Sequence, residues 1–204
     1  MVPNRRIPQQ SRSQNRLNLI LDTASELFCE AGYDATTTNA IAEKAGISIG
    51  SLYQYFPDKF QILVDLVERY RAQLMPVLVQ IDSPEVTHLP PSVLIDRLVD
   101  PFLAFFEQHP VYRHLLLGAD VSPDIGRAFH DLGQEMDDHF VTIFQRLVPS
   151  LDVDHARIVS MLCGKQLQSL LSLRADNADP RFREQVTTEV KRMYLAYLEK
   201  YLEE

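Results

Sequence analysis

"AGISIGSLYQYFPDK", residues 45–59, places two glycines, three aromatic rings and a proline within fifteen positions. Upstream, Leu17, Ile20, Leu21, Ala24, Leu27, Phe28 and Ala31 recur at steps of three and four, one face of an amphipathic helix over residues 16–31 that Gly32 ends. Thr37 then suits an N-cap, and Ala40, Ile41, Ala42 and Ala45 give a small apolar face that closes at Gly46 after barely two turns. Ser48 caps a third helix running to Phe56, and Pro57 breaks it. A fourth helix restarts with Asp58 in its first turn and runs to about residue 75. Two short helices joined by a tight glycine turn are the helix-turn-helix arrangement, whose second helix enters the major groove of DNA. Ala42 and Ala45 allow close crossing, and Leu52 and Phe56 form the inward face of the second helix. Ser48, Ile49, Gly50, Tyr53, Gln54 and Tyr55 are left outward. Gly50 costs about 1 kcal/mol of helix stability relative to Ala, and exposed tyrosines gain nothing for folding. Close approach to phosphate explains both.

Past Met75 the helices lengthen. They are expected at about residues 92–108, 110–118, 124–147, 154–175 and 180–203, after a Pro-rich connection "DSPEVTHLPPS". No segment alternates over strand length, so the fold class is all-α: an N-terminal three-helix helix-turn-helix domain and a larger C-terminal helical domain. The divisions are a flexible basic arm over residues 1–13, the DNA-binding domain over 14–74 with helix 4 as linker, and a ligand-binding and dimerisation domain over 75–204.

Composition supports two modest modules. The chain has 204 residues, 46% of them hydrophobic and 24% charged, which is ordinary for a globular protein. Its net charge of −8 is unevenly placed: residues 1–60 hold six basic against six acidic residues, while residues 61–204 hold fourteen against twenty-two. Arg5, Arg6, Arg12 and Arg16 precede every acid, making a cationic arm suited to the minor groove or adjacent phosphates. The longest uncharged apolar runs fall far short of the ~20 residues a membrane span needs, and no apolar segment follows the basic start as in a secretory leader. A cytoplasmic location is expected. Cys29 and Cys163 have no metal-ligand or disulfide spacing, and His114, His130 and His139 are scattered, so no metal or cofactor is expected.

The string "ELFCEAGYDATTTNAIAEKAGISIGSLYQYFPDK" resembles the DNA-binding module of the tetracycline-repressor (TetR) family over about residues 14–74. The resemblance implies a homodimeric, ligand-responsive transcriptional regulator, mostly a repressor, that releases a palindromic operator in double-stranded DNA when a small inducer binds the C-terminal helices. It also implies that Thr38 contacts DNA from the second helix, that Ser48, Ile49, Gly50, Tyr53, Gln54 and Tyr55 follow on the recognition helix, and that Lys59 holds phosphate. Ile49 departs from the pattern, since many relatives are polar or basic there; it remains able to touch a thymine methyl. Gln54 is the candidate for direct readout, because its amide pairs bidentately with adenine.

For the effector, apolar or amphipathic, the expected pocket residues are Phe102, Phe106, Tyr112, Phe140, Phe144 and Gln166, although such clusters are more often plain core. The last two helices carry the expected dimer stripe: Ile158, Met161, Leu162, Leu170 and Leu173 on one, and Val190, Met193, Tyr194, Tyr197, Leu198 and Tyr201 on the other. Helix 4 is the expected lever between effector and DNA. Two other classes compete. An enzyme lacks support, with no phosphate loop, nucleophile elbow, HExxH or paired-carboxylate site. An adaptor would use Tyr53 and Tyr55 to bind protein instead of DNA.

Overall fold

A computed structural model describes residues 9–82, 84–119 and 122–202. Among the described residues are nine α-helices and no strand: α1 (Gln9–Ala31), α2 (Thr38–Lys44), α3 (Ile49–Tyr53), α4 (Lys59–Ile81), α5 (Pro91–Gln108), α6 (Pro110–Gly118), α7 (Pro123–Leu147), α8 (Val153–Asp176) and α9 (Pro180–Leu202). A 3₁₀ turn spans Pro84–His88 between α4 and α5. No helix among the described residues is long and apolar enough to cross a membrane.

The described residues gather into two compact units. The first takes the chain up to Arg69 together with His114–Phe129; the second comprises Tyr70–Arg113 and His130 onward. In the first unit, Ile20, Leu21, Ala24 and Phe28 of α1 bury against Ile41 and Ala42 of α2, Leu52 of α3, Phe56, and Ile62, Leu63 and Leu66 of α4. Each of the large side chains contributes about 1.5–3 kcal/mol by leaving water. That burial matters because helices of seven and five residues are far below the length that stands alone.

Glycine sets two of the joints. Gly32 sits at φ +84° after α1, its amide donating to the Phe28 carbonyl at 3.1 Å. Gly46 sits at φ +66°, with its amide on the Glu43 carbonyl at 3.0 Å and the Ile47 amide on the Ala42 carbonyl at 3.0 Å. That paired closure is a Schellman motif, which any side chain at the glycine would strain.

Three expectations change. First, α1 begins at Gln9 and not near residue 16, so residues 9–13 of the expected arm are helical; Arg5 and Arg6 lie outside the described residues. Second, α3 stops at Tyr53, with Tyr55 and Phe56 both donating to the Leu52 carbonyl at 2.9 and 3.0 Å. Third, α4 runs through Pro76 to Ile81. Proline removes one helical hydrogen bond; Pro76 and Ala72, whose carbonyl loses its donor, are both solvent-exposed residues.

In the second unit, α9 packs on α8 and α5. Lys191 of α9 reaches Asp96 and Asp100 of α5 at 2.8 and 2.5 Å. Tyr70, Phe105, Phe106, His109 and Tyr112 form a contiguous aromatic cluster, with Phe106 and Tyr112 stacked at 5.6 Å. A second packed group joins α7 and α8 through Val141, Phe144, Val148, Ala156 and Val159.

Candidate nucleic-acid interface and apolar cavity

Both short helices start on side-chain caps. The Thr37 hydroxyl accepts from the Ala40 amide at 3.1 Å, and the Ser48 hydroxyl accepts from the Ser51 amide at 3.1 Å while lying 2.8 Å from the Ser51 hydroxyl. Such caps contribute about 1 kcal/mol each. With Leu52 fully buried, helical geometry turns Ser48, Gly50, Tyr53 and Gln54 to solvent. Tyr53 is 51% exposed, and its hydroxyl lies 3.2 Å from that of Thr38. The two hydroxyls form one polar edge shared by α2 and α3. A Cβ added to Gly50 would meet no atom within 4 Å, so nothing inside the protein requires glycine there.

Ile49 and Tyr55 are half-buried, not fully outward. Tyr55 presents less of itself than the spacing predicts, and α3 ends before it.

Lys59 has partners within its own chain. Its ammonium donates to the Tyr33 carbonyl at 2.7 Å and the Asp34 carbonyl at 3.2 Å, and stands 4.2 Å above the Tyr33 ring. Burial draws its pKa downward. Two of its three N–H groups are thereby engaged. Tyr33 in turn donates its hydroxyl to Asp124 at 3.1 Å; burial first, and Asp124 second, push that phenol well up. Lys44 is also engaged, by Glu30 at 3.0 Å and Glu26 at 3.3 Å. Arg12 and Arg16, one turn apart on α1, are exposed.

The second unit holds an apolar cavity of about 80 Å³ between α5, α7, α8 and α9, room for several waters or a hydrocarbon group. Of the expected wall residues, Phe102, Phe140 and Phe144 line it. Phe106 and Tyr112 do not: they belong to the packed aromatic cluster, where burial raises the Tyr112 phenol. Gln166 faces a surface groove beside Leu162, Val190 and Met193.

The expected dimer stripe divides in the same way. Ile158, Met161, Leu162, Leu173, Met193 and Tyr197 are exposed. Leu170 is fully buried and Leu198 nearly so, which corrects their assignment to an intersubunit surface: both are core of their own chain. Leu198 and Tyr201 line the cavity, and Tyr194 and Tyr197 line both cavity and groove. Sequence reasoning also missed Ser160, Cys163 and Leu167 as wall residues. The available signal was the spacing of Tyr194, Tyr197 and Tyr201, which share one face of α9. Burial pushes the Cys163 thiol up to about 11, so it acts as wall and not as nucleophile. Among the described residues, no group of three or more His, Cys, Asp or Glu is placed to hold a metal ion.

Residues 20–66 match the family described as bacterial regulatory proteins, tetR family, and residues 90–198 match the tetracyclin repressor-like C-terminal domain. The chain is 26% identical over 169 residues to the HTH-type transcriptional repressor KstR of Mycolicibacterium smegmatis, covering 81% of each protein. It is 25% identical to KstR of Mycobacterium tuberculosis, covering 81% of this chain and 76% of that one. A transcriptional regulator from Aquifex aeolicus shares the fold with a TM-score of 0.64 at 20% identity, over 87% of this chain and 99% of the other. A TetR-like regulator from Rhodococcus sp. RHA1 does so with a TM-score of 0.64 at 19% identity, over 95% and 96%.

Proposed function

The chain belongs to the TetR family of bacterial regulatory proteins and is a DNA-binding transcriptional regulator, and we propose that it acts as a homodimeric repressor released from a palindromic operator by a small apolar or amphipathic effector. The observation that carries this reading is the capped, solvent-facing row Ser48, Gly50, Tyr53 and Gln54 on α3, joined by Thr38. The row combines phosphate donors with one amide suited to a base edge. The exposed apolar residues Ile158, Met161, Leu162, Leu173 and Met193 on α8 and α9 supply a self-complementary face for a two-fold partner. An effector held in the cavity that favours a dimer with wrongly spaced recognition helices lowers DNA affinity by its differential affinity for the two forms.

Fluorescence anisotropy of a labelled palindromic duplex, titrated with the full chain across a salt series, tests the reading. A steep fall of affinity with salt, about 0.9 logarithmic units per phosphate contact, is expected. No binding even at low salt would favour the adaptor reading, in which Tyr53 and Tyr55 meet a protein.

A further inference from the structure

Besides the Cys163 thiol, the polar side chains on the cavity wall are four hydroxyls, and hydrogen bonds commit the protons of all but one. Ser160 donates its hydroxyl to Asp137 at 2.9 Å, and Tyr194 donates to the Cys163 carbonyl at 2.7 Å. Tyr201 donates to the Tyr197 oxygen at 3.1 Å, and the Tyr201 oxygen lies 3.1 Å from His155 Nε2. In the His155 tautomer that carries its proton on Nε2, the Tyr201 oxygen accepts from it. The Tyr197 hydroxyl therefore receives a hydrogen bond and keeps its own proton, which has no acceptor among the described residues. No Asp, Glu, Lys, Arg or His side chain lines the cavity.

A wall of this composition selects. A carboxylate, phosphate or ammonium entering it would lose its hydration with no countercharge, a cost of several kcal/mol or more. A pure hydrocarbon would be accepted but would leave the Tyr197 proton to solvent, since that residue is 37% exposed. We propose that the cavity takes an uncharged, mainly hydrocarbon ligand bearing one acceptor oxygen, a ketone or ester carbonyl, and that Tyr197 donates to that oxygen. This specifies the effector class and rests on the effector reading above. The incoming bond from Tyr201 aligns the Tyr197 hydroxyl, so Tyr197 is the reading residue and Tyr201 a positioning residue.

Ligand-observed NMR titrations of the full chain with acetophenone, isopropylbenzene and benzoate, probes of nearly equal size, test the assignment. Acetophenone should bind roughly three- to tenfold tighter than isopropylbenzene, the worth of one neutral hydrogen bond. Benzoate should bind weaker than acetophenone by roughly a hundredfold or more. Tyr197→Phe keeps the ring and should bring acetophenone to the level of isopropylbenzene, whose own affinity stays the same; Tyr201→Phe should narrow the preference by less. Benzoate binding as well as acetophenone would overturn the uncharged class, and a ketone preference surviving in Tyr197→Phe would overturn the role of Tyr197. Binding of none of the three to protein that still binds DNA would overturn the cavity as an effector site, and with it the release mechanism, while leaving the DNA-binding function intact.

Discussion

Across residues 37–54 the side chains that matter point outward from two helices of seven and five residues, whereas around the cavity most polar groups bond partners within the protein and the wall is mainly carbon. The first region has almost no propensity to spare and depends on caps, one Schellman turn and a few fully buried anchors. The second is built from helices of 18 to 25 residues, long enough that packing along their faces carries them even with space left between. A surface meant to read another molecule's edges needs exact local geometry, and a chamber meant to admit a small molecule needs incomplete packing.

The sharpest way to break this contrast is to remove one anchor from each region. Leu52→Ala in α3 and Phe102→Ala beside the cavity should each cost about 2–5 kcal/mol, read by denaturant unfolding followed by circular dichroism. Only Leu52→Ala should abolish binding of a palindromic duplex in protein that remains folded. If Phe102→Ala abolished it equally, the two regions would not be functionally separable in this way. Next in size, Gln54→Ala should relax preference at one base position by about 1–3 kcal/mol. A randomised-site selection with unchanged preference at every position would remove Gln54 from direct readout.

A matched pair of caps sharpens the comparison. Ser48 caps the five-residue α3, and Asp152 caps the 24-residue α8 through the His155 amide at 2.9 Å. Replacing either by Ala should cost about 1 kcal/mol of stability, yet only Ser48→Ala should weaken DNA binding, since α3 has no length over which to absorb the loss. Equal DNA affinities for the two variants would argue that α3 is held by packing alone.

The smallest expected effect concerns pH. Glu135 of α7 accepts from Arg71 Nε at 2.6 Å, and that hydrogen bond holds its carboxyl below the usual range. A carboxylate with a depressed folded pKa adds stability above its unfolded value of about 4.5 and loses it as pH falls through the lower folded value. The pair is partly exposed, so the amount is about 0.2–1 kcal/mol. Glu135→Gln should flatten the acid side of the stability curve, and a curve identical to that of the unaltered protein would show the pair to be neutral.

The same contrast governs what the sequence made legible. The caps Thr37 and Ser48, the turn at Gly46 and the anchors Leu52 and Phe56 are local rules with a residue type attached to each, and their positions in the fold match their positions in the string. The later helices were readable to within a residue or two from periodicity. Which face of α9 turns inward was not, because Tyr194, Tyr197 and Tyr201 suit a dimer stripe and a cavity wall equally by spacing, and only the packing of α8 and α5 decides. Leu170 and Leu198 were misplaced for the same reason. Lys59 shows a different limit: its place at a helix start does not reveal that its ammonium donates to the Tyr33 and Asp34 carbonyls, 26 and 25 residues away in the chain. Helix α4 outran Pro76, where both the proline and Ala72, whose carbonyl loses its donor, are solvent-exposed residues.

The central claim is that the outward row on α3 reads DNA from two symmetry-related copies. Selection of randomised duplexes by the full-length protein tests it most directly. Two inverted half-sites with centres about 10–10.5 base pairs apart, or a multiple of that spacing, are predicted. Enrichment of a single asymmetric site, or of no sequence at all, would contradict it.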